Sequence, residues 1–441
     1  MLGRVLNTHQ QWLCRRLADL GYVVTRQVAV ADTGREIELA VREALGRAEL
    51  IITTGGLGPT SDDITRDLVA QLLGKKLHED ASALANIEKF FAQRKRPMPA
   101  STRVQALVPD DAIVLHNAHG TAPGLAMKVE DGGWRMEDGT EQPSASSILH
   151  PRSSPTKWLI MLPGPPRELR SMFTEIVVPL LRRELPVTSE FVCRTVRTTG
   201  IGESLVQEKI IGLVEPLVAK GLEIGYCARI GEVDVRLCAR GVSAAELVRD
   251  GEAIVREALA KQIFGEGDDE LESVIVRLLT EQKKTLALAE SCTGGAIAHR
   301  LTNVSGASAV LLAGIVTYSN EAKQKFLGVR AETLAQHGAV SEPVAREMAE
   351  GARRETGADF ALSVTGIAGP TGGSEAKPVG TVFIGLAMAT GTVVLKQFNP
   401  LDRETFKFAT GNQALEMLRR ALIEADEKEK RRKGEQEISV P

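Results

Sequence analysis

Residues 286–295, LALAESCTGG, decide the architecture of the C-terminal part of the chain. The apolar run Leu286–Ala289 is typical of a short buried strand, and the glycines that follow it allow a tight turn into a helix. In α/β folds, ligands bind in the crevice beyond the carboxyl ends of the strands, where such turns lie. The stretch therefore predicts an α/β/α domain with a functional site at the turn.

Two more polar loops follow apolar runs downstream. Val316–Lys323 reads VTYSNEAK, and Thr365–Pro370 reads TGIAGP, directly after the predicted strand Phe360–Val364. A hairpin over 380–398 and a closing helix over 403–424 complete the predicted domain. We expect the three loops to lie together, because parallel strands place their carboxyl ends at one edge of a sheet.

The chain of 441 residues is too long for one hydrophobic core, and its pattern predicts several α/β parts. In the first part, Leu50–Thr54 is a strand, 62–73 is a helix capped by Ser61 or Asp62, and 130–156 is an exposed loop. The predicted parts are an α/β domain (1–165), a small α+β domain without evident chemistry (166–262), an α/β/α domain (263–425) and a charged, disordered tail (426–441).

Composition argues against several functional classes. The net charge of −3 and the aromatic content of 4% disfavour a nucleic-acid binder, which needs a basic excess or stacking rings. No apolar run reaches about 18 residues, and no signal peptide is visible, so we expect a cytoplasmic protein without a membrane span. The five cysteines form no C-x-x-C pair, which disfavours a disulfide framework or a zinc site.

The C-terminal loops carry residue types that suit acyl chemistry. Amide hydrolysis needs a nucleophile, a proton acceptor and donors for the oxyanion. Ser291, Tyr318 or Thr365 can supply a hydroxyl, and Lys323 can act as the base where burial lowers its pKa. Several residues of these loops also have a purely structural alternative. Ser291 and Thr293 can cap a helix, and Tyr318 can be a core tyrosine. Lys323 can be an exposed helix lysine, and Cys292 can be a small buried side chain that fills space.

These segments resemble the CinA C-terminal domain, the nicotinamide-nucleotide amidohydrolase family, through Ala289–Gly295, Gly314–Lys323 and Thr365–Gly380. The resemblance implies hydrolysis of nicotinamide mononucleotide to nicotinate mononucleotide and ammonia, without a cofactor. The catalytic candidates that it implies are Ser291, Ser308, Tyr318, Lys323 and Thr365. The implied substrate contacts are Cys292, Thr293, Gly294, Gly295, Gly366, Gly369 and Arg403.

Arg403 has the most specific of these implied roles. It follows the arginine that family members carry before the last helix, and the resemblance implies that it holds the nucleotide phosphate. The alternative is an ordinary surface charge.

A second glycine-rich turn, TTGGLGPTSDDIT at 53–65, follows the predicted strand of the first domain. Such a turn brings backbone amides toward a phosphate. Asp62 and Asp63 can hold a divalent cation such as Mg²⁺, which orients water in pyrophosphate hydrolysis. The alternative is that both aspartates only mark the start of a helix, where the dipole favours them.

This turn, with Asn117–Gly124 and Leu162–Glu168, resembles the molybdopterin-binding-like domain of CinA proteins. The resemblance implies ADP-ribose pyrophosphatase activity. Family members begin with a strand and a G-T-E turn ahead of the stretch matching Leu2-Gly3-Arg4, which stands at the start here. We therefore expect weak or no metal-dependent ADP-ribose hydrolysis. The implied substrate contacts are Gly55, Gly56, Gly58 and Thr60.

Three functions remain open from the sequence. The first is a bifunctional enzyme that acts on nicotinamide mononucleotide and ADP-ribose, works as a homodimer, and has no nucleic-acid or membrane partner. The second is a binding or regulatory protein linked to competence or DNA damage. The third is a molybdopterin-handling protein, which leaves the C-terminal domain unexplained.

Overall fold

The computed structural model describes residues 7–130, 156–187 and 190–438. Two compact units divide the chain, Met1–Thr188 and Ser189–Pro441. Helices and strands alternate in both, so the predicted α/β class is confirmed. Among the described residues, no helix has both the length and the apolar character to cross a membrane.

A four-stranded sheet lies at the centre of the first unit. The helices and strands of this unit are α1 (Thr8–Asp19), α2 (Gly34–Leu45), β1 (Leu50–Thr54), α3 (Thr65–Leu72), β2 (Leu77–Glu79), α4 (Ala81–Gln93), β3 (Leu107–Pro109), β4 (Ile113–Leu115), β5 (Gly124–Glu130), β6 (Thr156–Leu162), α5 (Pro166–Met172) and α6 (Val178–Glu184). The strand order is β1-β6-β5-β4, with β1 parallel to β6 and the other pairs antiparallel.

Both faces of this sheet are buried. On β6, Leu159 and Met161 pack into the core that contains Val41 of α2 and Ile87 of α4. The alternate residue Trp158 packs into a second core formed with α1, α5 and α6. Because successive side chains of a strand point to opposite faces, β6 is apolar along its whole length.

Two predictions for this unit are wrong. The boundary predicted at residue 165 fails because α5 and α6 pack into the first unit, where Leu169 and Leu181 share a core with Trp158. The helix predicted over 62–73 begins only at Thr65, and its N-cap position is Ile64. The stretch 1–6 and residues 131–155 of the predicted exposed loop lie outside the described residues.

The second unit contains two sheets. Its helices and strands are β7 (Phe191–Thr199), α7 (Glu203–Val218), β8 (Glu223–Arg229), β9 (Glu232–Arg240), α8 (Ala244–Ala258), β10 (Ile263–Glu266), α9 (Leu271–Glu281), β11 (Leu286–Glu290), α10 (Ala296–Thr302), β12 (Leu311–Val316), α11 (Asn320–Leu327), α12 (Ala331–His337), α13 (Glu342–Thr356), β13 (Phe360–Gly366), β14 (Thr381–Met388), β15 (Gly391–Phe398) and α14 (Arg403–Ile438). The antiparallel sheet β10-β7-β9-β8 packs against α7 and α8.

The larger sheet, in the order β12-β11-β13-β14-β15, carries the three predicted loops. Its strand β11 is parallel to both β12 and β13, and every residue of β11 is buried. One face packs against α9, α10 and α14, with Ile275 and Leu418 in the core. The other face packs against α13, with Met348 in the core. The predicted α/β/α arrangement is therefore present.

The prediction of a disordered tail is wrong, because α14 continues without a break to Ile438. Its first part is anchored by Leu415, Leu418 and Leu422, which are fully buried. Beyond them the sequence is dominated by Glu, Lys and Arg, which favour helix, and extending a formed helix costs far less than starting one. A run of charges therefore continues a helix here.

Candidate active site

The three C-terminal loops lie at one edge of the larger sheet. Glu290, the last residue of β11, is in register with Val316 of β12 and Val364 of β13. The N–H of Ser291 donates to the carbonyl of Val364 at 3.0 Å, and the N–H of Thr317 donates to the carbonyl of Glu290 at 2.8 Å. The residues that follow these parallel strands therefore lie close together, as the sequence predicts.

A serine and a lysine are paired at this edge. Lys323 is only 1% exposed, and its Nζ donates to Ser291 Oγ at 3.1 Å and to the Thr317 carbonyl at 2.9 Å. Burial lowers the pKa of Lys323, since the charged form loses hydration, while the neighbouring Cys292 and Glu321 oppose the shift. The alternative of an exposed helix lysine is wrong.

The start of α11 fixes the position of Lys323. Ser319 is the N-cap residue, and its hydroxyl accepts from the N–H of Ala322 at 3.1 Å. The cap sets the register of the helix, which directs the side chain of Lys323 inward onto the loop after β11. The pairing therefore depends on a strand, a cap and a helix that the sequence places together.

Glu290 is a site residue that sequence reasoning missed. Its side chain is 1% exposed, and its carboxylate accepts from the N–H groups of Gly295, Ile297 and Ala298 at 2.9, 3.2 and 2.8 Å. It thereby satisfies the first amides of α10. The signal in the sequence that could have found this role is a carboxylate at the end of a strand, directly ahead of a glycine-rich turn. Ser291 is not the cap of α10, so that structural alternative is wrong for it.

The glycines of the loops serve backbone geometry and close packing. Gly294 and Gly295 have φ values of +63° and +93°, a region that other residues rarely adopt. A Cβ atom on Gly366 would lie 2.9 Å from the carbonyl oxygen of Thr381, and one on Gly369 would lie 2.5 Å from Cγ1 of Val379. The structure gives each a role in shaping the loops, while contact with a substrate stays a prediction.

Tyr318 and Arg403 join two of the loops. The Tyr318 side chain is 61% exposed, and its hydroxyl accepts from Nη2 of Arg403 at 2.7 Å. Nη1 of Arg403 donates to the Gly369 carbonyl at 3.0 Å. The core-tyrosine alternative is therefore wrong, and Arg403 is a brace between the second and third loops.

Two of the implied catalytic hydroxyls, those of Thr365 and Ser308, are not hydrogen-bonded to Lys323 among the described residues. Thr365 is buried, but its Oγ1 donates to the Ala339 carbonyl at 2.7 Å, so its proton is committed to that carbonyl. Ser308 is exposed and precedes β12, whereas Ser291 follows the parallel strand β11. Ser308 therefore lies at the opposite edge of the sheet, and its assignment to this catalytic site within the chain is wrong.

The remaining polar residues of the first loop are buried. Burial raises the pKa of the Cys292 thiol to about 12, which disfavours the thiolate and agrees with the interpretation of Cys292 as a buried filler. The Thr293 and Thr317 hydroxyls are also buried, and among the described residues neither has a hydrogen-bond partner. Thr293 therefore caps no helix through its side chain.

The N-terminal loop is locally self-contained. Gly55 and Gly56 adopt φ values of +92° and +69°, as a tight turn after β1 requires. The Asp63 carboxylate accepts from the Thr60 N–H at 3.0 Å and from the Thr60 hydroxyl at 2.5 Å. Asp62 is exposed, and the nearby Thr60 side chain lowers the pKa of its carboxyl group. Both aspartates lie ahead of Ile64, the N-cap position of α3, so neither caps the helix or stands in its first turn.

The divalent-cation site expected at Asp62 and Asp63 stays a prediction, since this loop, as the structure describes it, holds no preformed set of ligands. No group of three His, Cys, Asp or Glu side chains within the described ranges is arranged to hold an ion. A hard cation takes several oxygen ligands, and the carboxylate of Asp63 is already committed to Thr60. We therefore assign no chemical step through a metal to Asp62 and Asp63.

The two other N-terminal segments named by the sequence do meet. Asn117 is buried, and its Nδ2 donates to Glu168 Oε2 at 2.7 Å and to the Ala122 carbonyl at 2.8 Å. A Cβ atom on Gly120 would lie 2.2 Å from the Glu168 carboxyl group, so a larger residue there would displace that group. The segments are thus structurally coupled.

Three family models of known proteins together match most of the chain. The probable molybdopterin binding domain matches residues 1–183, the damage-inducible protein CinA KH domain matches 193–265, and the CinA C-terminal domain matches 268–422.

Relatives match nearly the whole chain. A "CinA-like protein" from Kosmotoga olearia is 41% identical, over 96% of this chain and 96% of its own length. Another "CinA-like protein", from Akkermansia muciniphila, is 40% identical over 97% of this chain and 95% of its own length. The crystal structure of competence/damage inducible protein CihA from Agrobacterium tumefaciens is 42% identical, covering 35% of this chain and 96% of that one with a TM-score of 0.33.

Proposed function

This chain belongs to the CinA family, and from that premise we propose that its C-terminal domain hydrolyses nicotinamide mononucleotide to nicotinate mononucleotide and ammonia. The observation that carries the proposal is the buried hydrogen bond of 3.1 Å between Lys323 Nζ and Ser291 Oγ. Serine–lysine pairs are a known variant of the nucleophile and base used in acyl transfer.

In the first half of the reaction, Ser291 is the nucleophile and Lys323 is the base. The neutral amine of Lys323 takes the hydroxyl proton while Ser291 Oγ bonds to the amide carbon. Lys323 then gives that proton to the amide nitrogen, the carbon–nitrogen bond breaks, and ammonia leaves. An ester between Ser291 and the pyridine carboxyl group remains.

In the second half, water replaces ammonia. Lys323 takes a proton from the water as its oxygen bonds to the ester carbon, and returns a proton to Ser291 Oγ as the ester bond breaks. The burial that lowers the pKa of Lys323 favours the neutral amine that both steps need. The Thr317 carbonyl, 2.9 Å from Nζ, keeps the amine in place throughout.

The exposed ring of Tyr318 gives the substrate a surface beside this pair. An aromatic face suits the positively charged pyridinium ring of a nicotinamide nucleotide, through stacking and cation–π attraction. The hydrogen bond from Arg403 to the Tyr318 hydroxyl restricts the ring to one side of the loops. Tyr318 is therefore a binding residue in the proposal.

The other two hypotheses explain the site less well. A regulatory or molybdopterin-binding role gives no reason to bury a lysine side chain against a serine, since burial of an ionisable group is costly. The N-terminal loop offers no comparable pair among its described residues, and ADP-ribose hydrolysis stays an implication of the resemblance.

The test is ammonia release from nicotinamide mononucleotide by the full chain, without added metal. Ser291→Ala removes the nucleophile and should lower kcat by roughly 10³-fold or more. The matched variant is Ser308→Ala, which changes the same side chain at the opposite edge of the sheet and should stay within about twofold. Loss of activity in Ser308→Ala with retention in Ser291→Ala would overturn the assignment.

A further inference from the structure

The first loop has no free helix terminus to offer a phosphate. The N–H groups of Gly295, Ile297 and Ala298 donate to the Glu290 carboxylate, and the N–H of Gly294 donates to the Ser291 carbonyl at 3.1 Å. A second anion here would also meet the negative charge of Glu290. The phosphate of a nucleotide substrate must therefore find its positive partner elsewhere.

Arg403 is already engaged within the chain. Its two terminal nitrogens donate to the Gly369 carbonyl and to the Tyr318 hydroxyl. These two bonds fix the plane of the guanidinium, so a phosphate can reach only its remaining N–H donors without releasing the brace between the loops. Its position therefore serves the shape of the site first.

Lys407 is the unused cation beside the site. It is half-buried, and its Nζ lies 3.8 Å from the point that a Cβ atom on Gly294 would occupy. Among the described residues its ammonium group has neither a hydrogen-bond partner nor an ion-pair partner. Lys407 and Arg403 are four residues apart on α14, so they share one face of the helix.

This position suits a contact with one end of the substrate. The bond from Gly294 N–H to the Ser291 carbonyl closes a turn, which keeps the Cα atoms of these two residues within about 7 Å. Lys407 therefore reaches the rim of the loop whose other end carries the nucleophile. In a pyridine nucleotide, the amide and the phosphate likewise stand at opposite ends of the molecule.

We infer that Lys407 binds the phosphate of the substrate and sets the preference for a nucleotide over its nucleoside. The inference rests on the proposed amidase function and identifies the group that recognises its substrate class. Lys407 is a specificity residue, because it acts on a remote part of the substrate and takes no part in bond breaking.

The test compares nicotinamide mononucleotide with nicotinamide riboside, which lacks the phosphate, on the full chain. Lys407→Met should lower kcat/KM for the mononucleotide by about tenfold or more, mainly through KM, since a charge-assisted contact is lost. For the riboside, kcat/KM should change by less than about twofold. Lys407→Arg should restore most of the mononucleotide preference.

The matched control is Lys428→Met, the same change at an exposed position on the same helix. It lies 21 residues further along, about 30 Å away, and should alter neither substrate. Calorimetric titration with nicotinate mononucleotide, which has no amide to hydrolyse, gives a second reading that needs no turnover. Lys407→Met should weaken its binding by about tenfold.

The outcomes separate the inference from the proposed function. Ammonia release with an unchanged mononucleotide-to-riboside ratio in Lys407→Met overturns the inference and leaves the amidase standing. Absence of ammonia release, combined with Lys407-dependent binding of nicotinate mononucleotide, overturns the amidase and supports the phosphate contact. Absence of both overturns both.

Discussion

The loops at 290–295 and 53–65 look alike in sequence but differ in chemistry. Each is a glycine-rich turn with hydroxyl and acidic residues after a strand, and each has two glycines at positive φ. In the C-terminal loop, Glu290 is buried under α10 and Ser291 meets a buried lysine. In the N-terminal loop, Asp63 bonds only to Thr60, three residues away.

The difference lies in what the neighbouring elements supply. Strands β11 and β12 are parallel neighbours, so the helix after β12 brings Lys323 to the loop after β11. Removal from water is what changes the acid–base behaviour of a side chain. A glycine-rich turn becomes a reactive site where the fold delivers a buried ionisable group to it, and remains a turn where its polar groups satisfy one another.

The strongest way to break this comparison is to remove the buried amine. Lys323→Met should lower ammonia release from nicotinamide mononucleotide by about 10²-fold or more, because no base remains to accept the serine proton. The control is Lys325→Met, two residues along α11 and exposed. Turnover of Lys323→Met at the wild-type rate would remove the buried pair from the mechanism.

The two carboxylates give a smaller effect that sharpens the comparison. Glu290→Gln should speed hydrogen exchange at the amides of Gly295, Ile297 and Ala298 by about tenfold, since the buried carboxylate that accepts from all three is replaced by a neutral amide. Asp63→Asn should change exchange at Thr60 much less, because that turn is already open to water. Equal effects at both loops would show that burial is not what distinguishes them.

The pH dependence of stability should give the smallest effect, with stability rising with pH in both loops but on the alkaline side for Lys323 and on the acid side for Asp62. Burial lowers the pKa of Lys323, so between the folded and the unfolded pKa the unfolded chain binds more protons, and stability rises with pH. The nearby Thr60 side chain lowers the pKa of Asp62, and that contribution is lost as pH falls through the folded pKa.

Thermal unfolding of wild type and Lys323→Met on the alkaline side measures the first contribution. The midpoint temperature of unfolding of the wild type should rise relative to that of the variant as pH rises toward the ordinary pKa of lysine. About 2–4 °C corresponds to 1 kcal/mol in a unit of 150–250 residues. Parallel curves would mean that the lysine titrates alike in the folded and unfolded chains.

The sequence by itself determined the class of fold and the place of the C-terminal site. Apolar runs such as Leu286–Ala289, followed by glycines, define strands and turns through local sterics and burial. Strands and turns can therefore be recognised from the sequence alone. The carboxyl-edge rule then placed Ser291, Lys323 and Thr365 in one neighbourhood. The same local rules misplaced the first domain boundary and the end of α14, because packing partners of α5 and the continuation of a formed helix are not local properties.

Only the tertiary structure decided which of the candidate side chains act together. Ser308, Thr365 and Ser291 carry equivalent hydroxyls in the sequence, and the fold directs one to the opposite edge, one to the Ala339 carbonyl and one to Lys323. Whether a hydroxyl or an amine is reactive depends on its distance from a partner and on its exposure to water. Both quantities arise from residues far apart in the chain, which is why no local pattern could give them.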